Sequence, residues 1–363
     1  MKIDNELKVR GISMKAKEHV YDLNRINLWE VLPIRTPYHI SIEATFRCNM
    51  RCNYCIHAME KNEIERRGYS FEDMSWKTFE KIISSIYEFE DKIKSVVFSG
   101  LGEPLVNKRL PEMIREVKST GKVEKILLIT NGLLLTPETS NALIEAGLDI
   151  CKISLQGMSA KSYKQVCGVN MDWEQFYNNI AYFSKIKGNC QLKLKTGDIT
   201  LAEGEKELFY EKFSPICDYI DIEHIYPQFD GVDYSQNVFA DGGKNRFWHE
   251  LQHLNVCSPL FFRLYVLQDG RVTFAYPDGI TYKGFNVNER SLKSIWDSEE
   301  TKDLWINALN HNLSVCQKCP RWSYSAHPQD IIDGHEQEIL ERLRVEKLQQ
   351  ICAERQVLCM EGE

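Results

Sequence analysis

Apolar residues along this chain fall into two alternating rhythms. Between residues 38 and 226, short runs rich in Val, Ile and Leu alternate with longer stretches whose apolar positions recur every three or four residues. The short runs predict strands over 38–45, 94–99, 124–130, 149–155, 191–199 and 218–225. The longer ones predict helices over 74–89, 108–120, 173–186 and 203–213. In the first of these Trp76, Phe79, Ile83 and Ile86 share a stripe. Another helix begins after Thr136, which is placed as its N-cap, with Pro137 at the first helical position and Gly147 just past the end.

Six strand-then-helix units of about 30 residues each imply a parallel α/β architecture. A closed eight-stranded barrel takes about 250 residues. The repeating region is shorter than that, so the expectation is an α/β fold with an incomplete (β/α)6 barrel. In such folds chemistry sits in the loops after the strands. From 230 to 256 the pattern breaks into a polar linker containing Asp241-Gly242-Gly243. A smaller α+β unit is expected over 257–328, with a hairpin turning at Asp269-Gly270. Residues 1–37 precede the first core strand as an extension. The tail from 329 to 363 holds a charged helix whose Ile339, Leu343 and Ile351 form a packing stripe.

The 363 residues carry a formal charge of -7, which argues against a nucleic-acid binder, since phosphate backbones select basic surfaces. No apolar run approaches the roughly 18–20 residues of a membrane span, and the first twenty residues lack a signal-peptide core. A soluble cytoplasmic protein without membrane or nucleic-acid partners is therefore expected. Twelve cysteines in such a chain point to metal or catalysis where they cluster. Cys48, Cys52 and Cys55 form one group, and Cys316 and Cys319 another. A solitary cysteine reads first as a small buried hydrophobe.

Cys48-Asn-Met-Arg-Cys52-Asn-Tyr-Cys55 follows the first strand. Three thiolates this close select an iron–sulfur cluster or zinc. Structural zinc needs a fourth ligand, for which His57 is the local candidate. Three cysteines on a [4Fe–4S] cluster instead leave one iron open to bind a ligand. The C-x3-C-x2-C spacing, the aromatic Tyr54 before the last Cys and the position after the first strand resemble the radical S-adenosylmethionine (AdoMet) superfamily. Ser99-Gly-Leu-Gly-Glu-Pro104, Thr130-Asn131-Gly132 and Ser154-Leu155-Gln156-Gly157, each after a strand, are similar to further elements of that family.

The resemblance implies a [4Fe–4S] cluster on Cys48, Cys52 and Cys55, whose open iron chelates AdoMet. It further implies contacts from the Tyr54 backbone to the adenine, from Gly100, Gly102 and Glu103 to the methionyl amine, and from Ser154 to polar groups of the cofactor. Reductive cleavage would release methionine and a 5'-deoxyadenosyl radical that abstracts a hydrogen atom, with reduced flavodoxin or ferredoxin as electron donor. Many relatives carry Arg before a Gly about a dozen residues beyond the Ser154 position, where this chain has Cys167-Gly168. Lys195 is therefore the expected partner of the cofactor carboxylate, and Cys167 the candidate to return a hydrogen atom to a substrate radical.

Residues 257–319 resemble the auxiliary-cluster extension of the same superfamily, called SPASM in its long form and twitch in its short form. Cys257-Ser-Pro, the hairpin around Gln268-Asp-Gly-Arg-Val272, Ser291-Leu-Lys-Ser-Ile-Trp296 and Cys316-Gln-Lys-Cys319 carry the likeness. It implies an auxiliary [4Fe–4S] cluster on Cys257, Cys316 and Cys319. Where relatives place a further Cys, this chain reads Phe274-Ala275-Tyr276-Pro277-Asp278, so Tyr276 or Asp278 is the expected oxygen ligand unless that iron stays open. The short N-terminal extension favours a small polar substrate over a peptide. The reading is dehydrogenation or epimerisation of a carbohydrate, aminosugar or nucleotide-sugar. Radical modification of a peptide and a non-enzymatic electron carrier are the alternatives.

Overall fold

The computed structural model describes residues 16–18, 25–235, 237, 239, 243–276, 284–314, 319 and 321–345. Cys316, Asp278 and the tail helix beyond residue 345 lie outside the described residues. Among the described residues nine strands form one sheet: β1 (Lys17–Glu18), β2 (His39–Ile42), β3 (Ile93–Phe98), β4 (Val123–Thr130), β5 (Ile150–Leu155), β6 (Gln191–Gly197), β7 (Tyr219–Glu223), β8 (Arg263–Val266) and β9 (Val272–Phe274). Their spatial order is β1-β7-β6-β5-β4-β3-β2-β8-β9, parallel except for the antiparallel pair β8–β9. The six expected core strands, β2 to β7, are present as a parallel α/β sheet that does not close into a barrel.

Alternation along each strand separates two faces. On β5, Cys151, Ile153 and Leu155 are buried, while Lys152 and Ser154 between them stay half-buried. On β6, Leu192 and Leu194 are buried between the half-buried Lys193 and Lys195. The buried set packs under the helices. A Cβ added to Gly132, for example, would meet Ile153 and the Phe176 ring of helix Trp173–Ile186. The other set forms the inner face of the curved sheet. Its polar character on β5 to β7 matters for the chemistry below.

The pattern alone does not give the place of the C-terminal hairpin. Strand β8 pairs in parallel with β2, Ile40 opposite Leu264, and so continues the core sheet past its first strand. Helix Leu292–Trp296 then docks on helix Trp76–Glu88, where the Leu292 N–H donates to Ser85 Oγ at 3.0 Å. The Trp296 indole donates to the Ile34 carbonyl, and the Trp305 indole to that of Leu260. One apolar core runs without interruption from Ile40 through Trp296 to Leu343. Each large side chain fully buried in it contributes about 1.5–3 kcal/mol.

Helices Lys61–Arg66 and Ala160–Cys167 were not expected from periodicity. Both are short, and the second is mostly polar outside the buried Tyr163 and Cys167. Its stability comes from its ends. Ser159 and Ser162 form a reciprocal capping box, and Gly168 closes the C-terminus at φ 70°. Strand β2 stops at Ile42, short of the expected residue 45, because from Glu43 onward the chain turns to serve the loops above the sheet.

Candidate active site

The loops after β2, β3, β4 and β5 converge at one end of the sheet, and buried polar groups bolt them together. Glu103 follows β3 and is 4% exposed. One carboxylate oxygen accepts from Thr130 Oγ1 at 2.6 Å and from the Leu105 N–H, and the other from the Asn131 N–H at 2.7 Å. Burial raises its carboxyl pKa, and those three bonds oppose the shift. Glu103 therefore fastens the Gly-rich turn to the Thr130-Asn131-Gly132 turn. Asn131 in turn donates to Asn49 on the cysteine loop at 2.7 Å.

Glu43, at the top of β2, does the same from the other side. Its Oε1 accepts the N–H groups of Leu101 (2.6 Å) and Gly102 (3.2 Å), while Oε2 is buried without a partner among the described residues. Burial pushes its carboxyl up to about 8. The two glycines are required by these approaches. A Cβ on Gly100 would lie 2.5 Å from the Glu43 carboxylate, and one on Gly102 would lie 2.0 Å from the Thr45 carbonyl oxygen. Sequence reasoning missed Glu43. An acid near the end of an otherwise buried strand was the available signal.

The cysteine loop is held from three directions. The buried His57 ring places Nε2 2.9 Å from the Leu101 carbonyl, and so donates to the Gly-rich turn. The Tyr54 hydroxyl bonds Gln156 Oε1 in the turn after β5. The Arg51 and Asn53 N–H groups donate to the carbonyls of Cys167 (2.9 Å) and Val166 (2.8 Å), at the C-terminus of helix Ala160–Cys167. Cys48, Cys52 and Cys55 are all unbridged and half-buried. Burial pushes the Cys48 and Cys55 thiols up to about 12. Cys167 is fully buried with its sulfur 3.6 Å from that of Cys52.

Three sulfurs on one loop, beside a backbone shaped by Gly100 and Gly102 and an unpartnered Glu43 oxygen, suit a [4Fe–4S] cluster with an adjoining cofactor pocket. His57 is already engaged between Leu101 and the Phe46 and Phe71 rings. Ser154 lies on the inner face one strand from Lys195, its register partner. The Lys195 ammonium sits 2.6 Å from Glu223, which also holds Lys152 at 3.0 Å and Arg246 at 3.0 Å. Burial lowers Lys195 to about 8, and the three cations hold the Glu223 carboxyl well below its ordinary range despite burial.

In the C-terminal part, Cys257 and Cys319 are unbridged and half-buried. Burial raises the Tyr276 hydroxyl, with the Cys257 thiol adding to the shift; likewise, Cys319 adds to that of Tyr226. The Tyr276 hydroxyl lies 2.5 Å from Ser325 Oγ and 3.3 Å from the Arg321 carbonyl, which the Tyr226 hydroxyl also approaches. These contacts gather Cys257, Cys319 and both tyrosines into one neighbourhood.

A parallel α/β sheet crowned by a three-cysteine loop and a Gly-rich turn suits a protein that holds an iron–sulfur cluster with a second cofactor beside it. The model of the Radical SAM superfamily matches residues 42–206 and that of the Iron-sulfur cluster-binding domain, SPASM, matches residues 257–320. Residues 42–206 thus belong to the radical SAM superfamily and residues 257–320 to the SPASM family, matches that imply AdoMet, a [4Fe–4S] cluster and auxiliary iron–sulfur clusters as cofactors. It is 36% identical over 117 residues to the tungsten-containing aldehyde ferredoxin oxidoreductase cofactor-modifying protein of Pyrococcus furiosus, covering 32% of this chain and 30% of that one. It is 34% identical over 131 residues to a probable GTP 3',8-cyclase of Methanococcus vannielii, covering 36% and 40%. The chain thus matches well under half the length of these relatives. Among solved structures it resembles Streptococcus suis SuiB (TM-score 0.56, 15% identity, 89% of this chain and 82% of that one). It also resembles anSMEcpe with bound AdoMet (TM-score 0.51, 13% identity, 85% and 95%). Among the described residues no helix is long and apolar enough to cross a membrane.

Proposed function

We propose that this enzyme abstracts a hydrogen atom from a small polar substrate bearing an anionic group, a sugar-like or nucleotide-like molecule, and dehydrogenates or epimerises it. The carrying observation is the charge of the inner face. Lys152, Lys195 and Arg246 surround the single carboxylate of Glu223, and Lys193 lies one strand from Lys152. Asp221, pushed up to about 6 by burial with Glu223 adding to it, is mostly ionised near neutral pH and offsets one of these charges, so two carboxylates face four cations. Surplus positive charge in a partly desolvated site is costly until an anion fills it.

When bound, the cluster on Cys48, Cys52 and Cys55 supplies the electron for AdoMet cleavage. The chain's own residues orient and shield. Glu43 and Glu103 set the turn that would face the methionyl end, Tyr54 and Gln156 would fix the adenine side, and Ser154 and Lys195 would meet the cofactor's polar groups at the inner face. Cys257, Cys316 and Cys319 would hold the auxiliary cluster, with Tyr276 beside it, as acceptor for the substrate's electron. Shielding from water would keep a radical formed there from side reactions.

The test is an anaerobic assay of the reconstituted enzyme against phosphorylated sugars, nucleotide-sugars, neutral sugars and short peptides. Deuterium transfer from labelled substrate into 5'-deoxyadenosine is the readout. Transfer from an anionic sugar or nucleotide is expected, and Lys152→Ala should raise its KM at least tenfold while uncoupled AdoMet cleavage persists. Transfer from a peptide alone overturns the proposal.

A further inference from the structure

Cys167 has no part in the roles above, yet its side chain lies against the cysteine loop. Its sulfur is 3.6 Å from that of Cys52, and it is entirely shielded from solvent. The alignment is enforced by backbone. The N–H groups flanking Cys52, those of Arg51 and Asn53, donate to the last two carbonyls of helix Ala160–Cys167. Those carbonyls have no intrahelical donors, so the loop completes the helix as the helix positions the loop. Gly168 then turns the chain away in the left-handed conformation, leaving the Cys167 side chain against the loop.

We infer that Cys167 is a positioning residue for the cluster, donating an S–H···S hydrogen bond to the Cys52 sulfur and thereby raising the cluster's reduction potential. With both thiols protonated, either sulfur can be the donor. Once Cys52 binds iron as a thiolate it carries no proton, and only Cys167 can donate. Reduction adds negative charge to the cluster and its sulfurs. A donor aimed at one of those sulfurs in an apolar shell stabilises the reduced form more than the oxidised form. This assigns Cys167 a task different from returning a hydrogen atom to substrate, and it requires no access to the inner face.

The test is a redox titration of the reconstituted full-length enzyme, followed by electron paramagnetic resonance on the signal that AdoMet perturbs, with iron content measured in parallel. Cys167→Ala should lower the midpoint. At a potential poised near the parent's midpoint, the ratio of reduced to oxidised cluster should fall severalfold; a tenfold fall would be 59 mV for one electron. Cys167→Ser, whose hydroxyl still donates, should titrate at or above the parent. Identical midpoints in all three proteins overturn the inference. Should Cys167→Ala fail to hold iron, Cys167→Ser decides alone: a midpoint above the parent's supports the inference, and one at or below it overturns it.

Discussion

Glu43, Glu103 and Gly102 show how little freedom individual side chains have around the cluster loop. Gly102→Ala must push a methyl into the Thr45 carbonyl, 2.0 Å from where its Cβ would sit. Calorimetry should show a lowered Tm, and equilibrium binding a loss of AdoMet affinity of tenfold or more. Replacing Cys48, Cys52 and Cys55 together with Ala should abolish 5'-deoxyadenosine formation and remove about four irons per chain. Glu43 gives a pH signature. Its folded carboxyl titrates at about 8 against an ordinary 4.5, so the folded chain retains a proton that the unfolded chain has lost. Stability from this group therefore falls as pH rises from about 4.5 to about 8. Glu43→Gln should lack that decline, visible as a smaller loss of Tm between about pH 5 and pH 8 than in the parent. An equal loss would show that Glu43 is not the group responsible.

Helix Ala160–Cys167 was invisible to periodicity, although it presses directly on the cluster loop. Its two buried positions, Tyr163 and Cys167, are too few to set a rhythm, and its caps involve serines that also suit turns. Strands β3 to β7 were legible because short apolar runs alternate regularly with longer stretches of helical period. The cysteine loop and the Gly-rich turn were legible for a different reason, since their chemistry fixes residue type and spacing. The buried carboxylates were not, because an acid's partners come from distant loops. Gly168→Ala isolates the helix end. A non-glycine residue at φ 70° costs about 1–2 kcal/mol, and no atom lies within 4 Å of the added Cβ. A modest drop in Tm with full iron content is expected; a drop of more than about 3 kcal/mol would mean the helix end does more than cap.

Among the described residues, one sheet and its main apolar core join the region of the cysteine loop to that of Cys257. Arg246 links them at the inner face. Its guanidinium meets Glu223 of β7, while its backbone N–H donates to the Tyr324 carbonyl, beside Arg321 and the Tyr276 neighbourhood. A chain ending at residue 256 would lose β8, β9 and the helices sealing β2, exposing a parallel strand edge and the apolar surface around Phe79 and Phe98. Such a fragment should aggregate or unfold without cooperativity, as light scattering and thermal melts would register. A monomeric fragment with a sharp melt would show that the core stands alone.

The parallel pairing of β2 with β8 also sets a schedule for biosynthesis. These neighbours are separated by more than two hundred residues of chain, so β2 leaves the ribosome long before its partner exists. At 5–20 residues per second the wait is about 10–40 s, during which an apolar strand edge lies open beside the cysteine loop. Nascent chains of this enzyme should therefore bind chaperones until residue 266 has emerged, and iron delivered earlier would reach a cysteine loop whose supporting sheet is still unfinished.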